Sequence, residues 1–149
     1  MAIIPGVALS QLWSSIRTVD SDVKWVVPIS LGDSHRGFPV VGTTNDYFSY
    51  YKYANKKDLL LLEGTTFNTP LDLVLGADVA EKFGYKLGDR IYLAHGHSVK
   101  GAPIHKHISF VVVGILEYTH TPVDKTLHIP VEGMTALHMN LKKIFLFYR

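Results

Sequence analysis

The sequence predicts an α+β domain, a mixed sheet dressed with short helices, with a length that also admits two small lobes. Three observations carry this. Apolar runs of strand length recur along the chain, the helical periods between them are only two or three turns long, and the two alternate too irregularly for a doubly wound parallel sheet. At 149 residues, a chain buries about 68–70% of its unfolded surface, enough for a core without disulfides or metal staples.

The elements follow in order. Residues 5–19 read as a helix because Val7, Leu9, Leu12, Trp13, Ile16 and Val19 share most of one face and Pro5 suits a first turn. Asp20-Ser21-Asp22 ends it. Residues 25–27 begin a strand that Pro28 confines to an edge or a strand end. Gly32-Asp33-Ser34 opens a polar loop, and residues 38–41 form the next strand. Residues 45–53 hold Tyr47, Phe48, Tyr50, Tyr51 and Tyr53 behind the capping types Thr44 and Asn45, which predicts a short helix. Tyr47, Phe48 and Tyr51 are assigned to the core, and Tyr50 or Tyr53 to a partner face. Residues 54–58 are the most polar gap, either a lobe boundary or an exposed turn, and residues 59–62 follow as a buried strand or helix end.

The central block is the least ambiguous. Residues 73–75 are a strand, Gly76 breaks it, and Val79, Ala80 and Phe83 mark one face of a two-turn helix over residues 77–83. Gly84 stands where a helix stops in the left-handed conformation, and Gly88-Asp89 turns the chain into a strand at residues 91–93. A long strand at residues 108–118, a short one at 127–130 and a helix at 132–139 complete the pattern.

The block VLGADVAEKFGYKLGDRIYLAHG, followed by FVVVGIL, resembles the extracytoplasmic core domain of FtsX-like, MacB-type ABC transporter permeases. In that family a run ending VLG, an A-initiated helix, a GD turn and an F-x-V-x-G strand come in this order. VVPISLGDSHRGFPVVGTTNDYF and LLEGTTF before the block, and YTHTPVDKTLHIPVEGMTALH after it, extend the likeness over roughly residues 23–138. The resemblance implies a MacB-like periplasmic core domain over residues 1–138, lacking part of its upstream strand, with residues 139–149 a tail unlike the family. It implies membrane helices on either side in a bacterial inner-membrane permease, with this domain on the periplasmic side. It implies no catalytic residue. ATP hydrolysis would belong to a separate ATP-binding subunit, and a second permease subunit or a periplasmic accessory protein would be the partner. The domain would couple movement of the membrane helices to substrate export or to engagement of that accessory protein.

Composition narrows the other classes. A formal charge of +2 from scattered Lys and Arg gives no basic stripe for nucleic acid. There is no cysteine, so disulfides and thiolate sites are excluded and an oxidising compartment is tolerated. The apolar runs stop far short of the roughly 18 residues of a spanning helix. No phosphate-binding loop is present, since G-x-x-x-x-G-K-[ST] does not occur. Asp72, Asp78, Glu81 and Asp89 form no paired-carboxylate signature. Asp33-Ser34-His35 holds the three residue types of a hydrolytic triad, but triad partners normally come from separate loops; in the resembling family this segment is structural or interfacial.

Eight histidines leave one further chemistry. His95/His97 and His105/His107 are two His-x-His pairs, and alternate strand residues share a face. A hairpin of residues 91–97 with 105–113 would bring the four imidazoles together at its mouth as candidate ligands for zinc or copper. The plainer reading is solvated histidines at a hairpin end, with Lys106 opposing a cation. His120 and His128, which flank the Thr121-Pro122-Val123-Asp124 turn, would either approach the same end or, as the plainer reading, be ordinary loop and strand surface. The alternative whole-protein reading is therefore a free-standing periplasmic zinc-binding protein. It predicts a stoichiometric Zn²⁺ heat in calorimetry that disappears in His95→Ala/His97→Ala, and an unchanged or absent heat removes it.

Overall fold

The computed structural model describes residues 22–95 and 108–138. The expected helix over residues 5–19, the tail 139–149, and His97, His105 and His107 lie outside the described residues.

Strands β1 (Ser30–His35), β2 (Phe38–Thr43), β5 (Leu61–Gly64), β6 (Asp72–Leu75), β7 (Arg90–Ile91), β8 (Ala94–His95), β9 (Phe110–Leu116) and β10 (Leu127–Pro130) form one sheet in the order β5-β9-β6-β10-β2-β1-β8, with β7 also on β9. β6 runs parallel to β9 and β10 parallel to β2; the other pairings are antiparallel, so the sheet is mixed. Strands β3 (Lys52–Tyr53) and β4 (Lys57–Asp58) make a separate hairpin. Helices α1 (Asp46–Tyr50), α2 (Ala77–Phe83) and α3 (Val131–His138), with a 3-10 turn at Pro122–Lys125, complete the α+β fold.

The central strands β6 and β10 are buried along their whole length. Because successive side chains of a strand point to opposite faces, they divide the core in two. Leu73, Leu75, Leu127 and Ile129 join Val79 of α2, Met134 and Leu137 of α3, and Phe110 and Ile91 on one face. Val74 joins Tyr47 and Phe48 of α1, Phe67, Leu116 and Val123 on the other.

β9 serves both cores through a bulge. Leu73 pairs with Val112 but Val74 with Gly114, which leaves Val113 as an extra residue. The extra residue flips the alternation: Phe110 and Val112 pack on the first face, whereas Leu116 packs on the second. The carbonyl of Val113 is taken by the Thr65 N–H at 2.8 Å. A Cβ on Gly114 would lie 2.3 Å from the Thr65 carbonyl oxygen, so only glycine fits where the two backbones meet.

Several elements match the sequence reading closely. Helix α2 spans the expected residues and ends on Gly84, whose φ of +66° is left-handed and whose N–H reaches the Ala80 carbonyl. β10 occupies 127–130, and the polar gap 54–58 supplies the turn of the β3–β4 hairpin and its second strand.

Other elements differ. Residues 25–27 pair with nothing described as sheet, and the segment expected to be a polar loop at Gly32-Asp33-Ser34 is the strand β1. The turn falls instead at Arg36-Gly37, where both φ values are positive (48° and 91°), as a two-residue type I′ hairpin loop requires. Asp33 and Ser34 are buried because β2 flanks them on one side and β8 on the other. The expected buried stretch 59–62 leads into an edge strand: Leu59 is buried, but Leu60 just before β5 and Leu62 within it stand exposed. The strand expected at 91–93 divides, with Arg90–Ile91 on β9 and Ala94–His95 on β1.

Gly114→Ala therefore forces backbone apart at the bulge. It is expected to cost roughly 3 kcal/mol, the upper end of overpacking effects, read as a lower midpoint in urea unfolding with an unchanged slope.

Candidate functional site

Exposed aromatic side chains and a buried polar residue come together around α1. Asn45, just before the helix, uses its side chain as a substitute strand edge: Nδ2 donates to the Phe67 carbonyl at 2.9 Å and Oδ1 accepts from the Phe67 N–H at 3.0 Å. This pins the start of α1 to the segment after β5. Tyr47 and Phe48 turn inward. Phe48 meets Phe67 edge-on at 5.1 Å between ring centroids, and Tyr47 meets Phe48 edge-on at 5.5 Å.

Beneath them lies His128, fully buried on β10. Alternation explains its position: Leu127 and Ile129 face the first core, so the residue between them must face the second. Its ring centroid is 5.1 Å from that of Tyr47 and 5.8 Å from that of Phe48. Nδ1 lies 3.1 Å from the Val74 carbonyl oxygen, so the neutral tautomer with a proton on Nδ1 donates there. Nε2 is buried and makes no hydrogen bond. Burial lowers the imidazole pKa to about 4, and the bond to Val74 opposes this only in part. The reading of His128 as strand surface is thus corrected: it sits on a central strand covered on both faces.

Outward from Tyr47, Tyr51 stacks on it at 5.2 Å and Tyr50 stacks on Trp25 at 5.2 Å with the rings 5° apart. Tyr51 is 36% exposed and so is not the core residue expected of it; the chain leaves the helix at this residue and turns extended into β3. Tyr50 is exposed, whereas Tyr53 packs partly against the second core. Trp25, Val27, Ile29, Tyr47, Tyr50, Tyr51 and Lys52 line an open groove of about 460 Å³. Burial, and then the neighbouring Tyr51, push the Tyr47 phenol pKa upward, so it remains a neutral ring.

The other candidates separate. His35 turns its Nε2 to the Tyr85 hydroxyl (2.7 Å) and its Nδ1 to the Tyr92 carbonyl (2.8 Å). Burial lowers its pKa, the Tyr92 carbonyl opposes this, and the Arg36 charge adds to it. Asp33 instead meets His138 of α3 at 3.1 Å. The Asp33-Ser34-His35 neighbours therefore do not converge, because the Asp33 and His35 side chains turn to different elements. Asp72 is bound by the backbone N–H groups of Asn68 and Thr69 and by the Thr69 hydroxyl, and Asp124 by Thr119 and the His120 N–H. These carboxylates organise turns. His120 is exposed in its loop, its ring stacked on Tyr118.

Of the four histidines considered for zinc, only the backbone of His95 is described. It pairs with Asp33 on β1, away from β9. Among the described residues no group of three His, Cys, Asp or Glu side chains is placed to hold a metal ion.

The fold and this site define an α+β domain whose distinctive surface is an aromatic groove over a sealed core. The sequence matches the profile of the MacB-like periplasmic core domain over residues 5–146, and the chain belongs to that family. The family is one of extracytoplasmic domains of ABC-type transporter permeases rather than of catalytic domains. Among solved structures, the fold is similar to the extracellular domain of the noncanonic ABC-type transporter YknZ from Gram-positive bacteria, with 18% identity and a TM-score of 0.54. That match covers 85% of this chain and 65% of the other, so the chain spans about two thirds of that structure's length. No curated protein matches the sequence significantly. Among the described residues no helix is long and apolar enough to cross a membrane.

Phe48→Ala should cost about 3–5 kcal/mol, as large-to-small aromatic truncations in a core do. Tyr50→Ala, two positions on, should stay within about 1 kcal/mol. Chemical denaturation of the two variants separates the part of α1 that holds the fold from the part that lines the groove.

Proposed function

We propose that this domain is the outward-facing part of a bacterial ABC transporter permease that couples ATP-driven movement of membrane helices to substrate export or to engagement of an accessory protein. The observation that carries the reading is the family match across residues 5–146, to which the similarity of fold to the YknZ extracellular domain adds support. ATP would be hydrolysed on a separate cytoplasmic subunit. The partner on the outer side would be a second permease subunit or an accessory protein.

Such coupling requires that the domain make contacts whose free energy differs between two states of the transporter. The sheet suits this as a stiff frame, since its central strands are buried on both faces. The edge strand β5, with Leu62 on it and Leu60 before it exposed, and the aromatic groove over α1 are the surfaces on which state-dependent contacts could be made.

The test uses the absence of cysteine from this sequence. Leu62→Cys, introduced into the full-length protein in cells, should react with a membrane-impermeant maleimide added from outside, above the background of the parent protein. Its rate should differ between the nucleotide-free and vanadate-trapped transporter. Labelling only after lysis would contradict the location, and equal rates in both states would contradict coupling at this edge.

A further inference from the structure

We propose that His128 is an acid-operated latch for α1: protonation of its buried imidazole loosens Tyr47 and Phe48 from the sheet, so that the helix swings about its Asn45 anchor and the aromatic groove comes apart. The inference stands on the packing around β10 and is independent of the transporter reading.

The geometry leaves a proton nowhere to be accommodated. With Nδ1–H donating to Val74, the free lone pair is on Nε2, which lies fully buried and unpartnered. A second proton there would place a charge in an apolar pocket roofed by two aromatic rings, which is costly without a counter-charge. None faces it. From α1 the titratable neighbour is Tyr47, a neutral phenol, with Tyr51 stacked behind it. Asp46 precedes Tyr47 on the same helix and is half-exposed. β2 brings no charged residue, and β10 itself carries none besides His128. On β6 the one charged residue is Asp72, bound into the turn at Asn68 and Thr69. Asp124 of the 3-10 turn is bound by Thr119 and His120. Burial and the Val74 carbonyl alone account for the state of the imidazole.

The relief route is through α1. The strands flanking β10, β2 and β6, are paired backbone, whereas α1 is five residues long and has no side-chain hydrogen bond at its N-cap. Its side-chain ties to the rest of the second core run through Tyr47, Phe48 and the Asn45–Phe67 pair. Asn45 precedes the rings, so it would act as the pivot. Tyr51 and Tyr50 lie beyond the rings and would move with them, separating the Tyr47–Tyr51 stack and the Trp25–Tyr50 stack.

The direction with pH follows from linkage. His128 titrates near 6.5 when exposed and about 4 when buried, so closure is fully supported above about pH 6.5 and is progressively lost as pH falls towards 4. At pH 5 the open population should be about thirtyfold greater than at pH 7.5.

Hydrogen exchange on the whole chain, corrected for intrinsic rates, reads this directly. The Tyr51 N–H, bonded to the Tyr47 carbonyl at 3.0 Å, should lose about thirtyfold in protection between pH 7.5 and 5, while the amides of β9 keep theirs. His128→Leu should abolish the pH dependence at Tyr51. The wild-type imidazole, followed by NMR, should titrate well below 6.5, which keeps the proposal testable even where the variant fails to fold. Protection at Tyr51 that does not change with pH, loss of β9 protection at the same midpoint, an unaltered pH response in His128→Leu, or an imidazole midpoint near 6.5 would each overturn it.

Discussion

Everything in this fold depends on the pair β6 and β10, adjacent strands that are covered on both faces. Once a strand is covered twice, its alternation no longer separates core from solvent but one core from another. Each core then needs its own cover. The first takes α2 and α3, which follow directly on β6 and β10 in the chain, so the same strands that need covering supply the cover. The second takes α1 and the segment around Phe67, which come from earlier in the chain and are held by side chains rather than by continuity.

The bulge at Val113 follows from the same constraint. β9 lies beside β6 and has to contribute to both cores, but a regular strand would commit each of its apolar residues to one face by parity. One extra residue reverses the parity midway, and Phe110 and Leu116, six residues apart, end on opposite faces. The glycine that follows is what lets the backbone around Thr65 approach closely enough to take up the carbonyl left over.

Much of this was legible in the residues. The block from Leu73 to Gly88 carries its own punctuation: an apolar run, a glycine, a helical period and a left-handed stop. Such local chemistry survives almost unchanged into the structure. What the sequence could not carry was neighbourhood. Gly32-Asp33-Ser34 has turn composition, yet it lies between β2 and β8, and the two ladders override its propensity. Leu59 to Leu62 has core composition, yet it falls at a sheet edge. His128 was misplaced for the same reason. Its alternation with Leu127 and Ile129 was visible, but that both faces of β10 are covered depends on which strands flank it, and strand order is not written in any local window. The aromatic groove was half visible: the cluster from Tyr47 to Tyr53 announced itself, while the contribution of Trp25 required knowing that the segment before β1 runs past α1.

The two cores are unequal in what they permit. α2 and α3 are embedded through apolar side chains, Val79 and Ala80 from one and Met134 and Leu137 from the other, and are continuous with the strands they cover, so displacing either would disturb the sheet itself. α1 is short, covers a polar residue, and adjoins an open groove. A frame that must stay intact while a surface element responds to its surroundings needs this asymmetry, because local opening free energies are set by how much packing and hydrogen bonding each element must give up. Placing the buried imidazole under the weaker cover concentrates the response there. Had the same histidine faced the first core, the proton's cost would have fallen on α2, α3 and β9 together, and acid would have acted on the whole domain rather than on one helix.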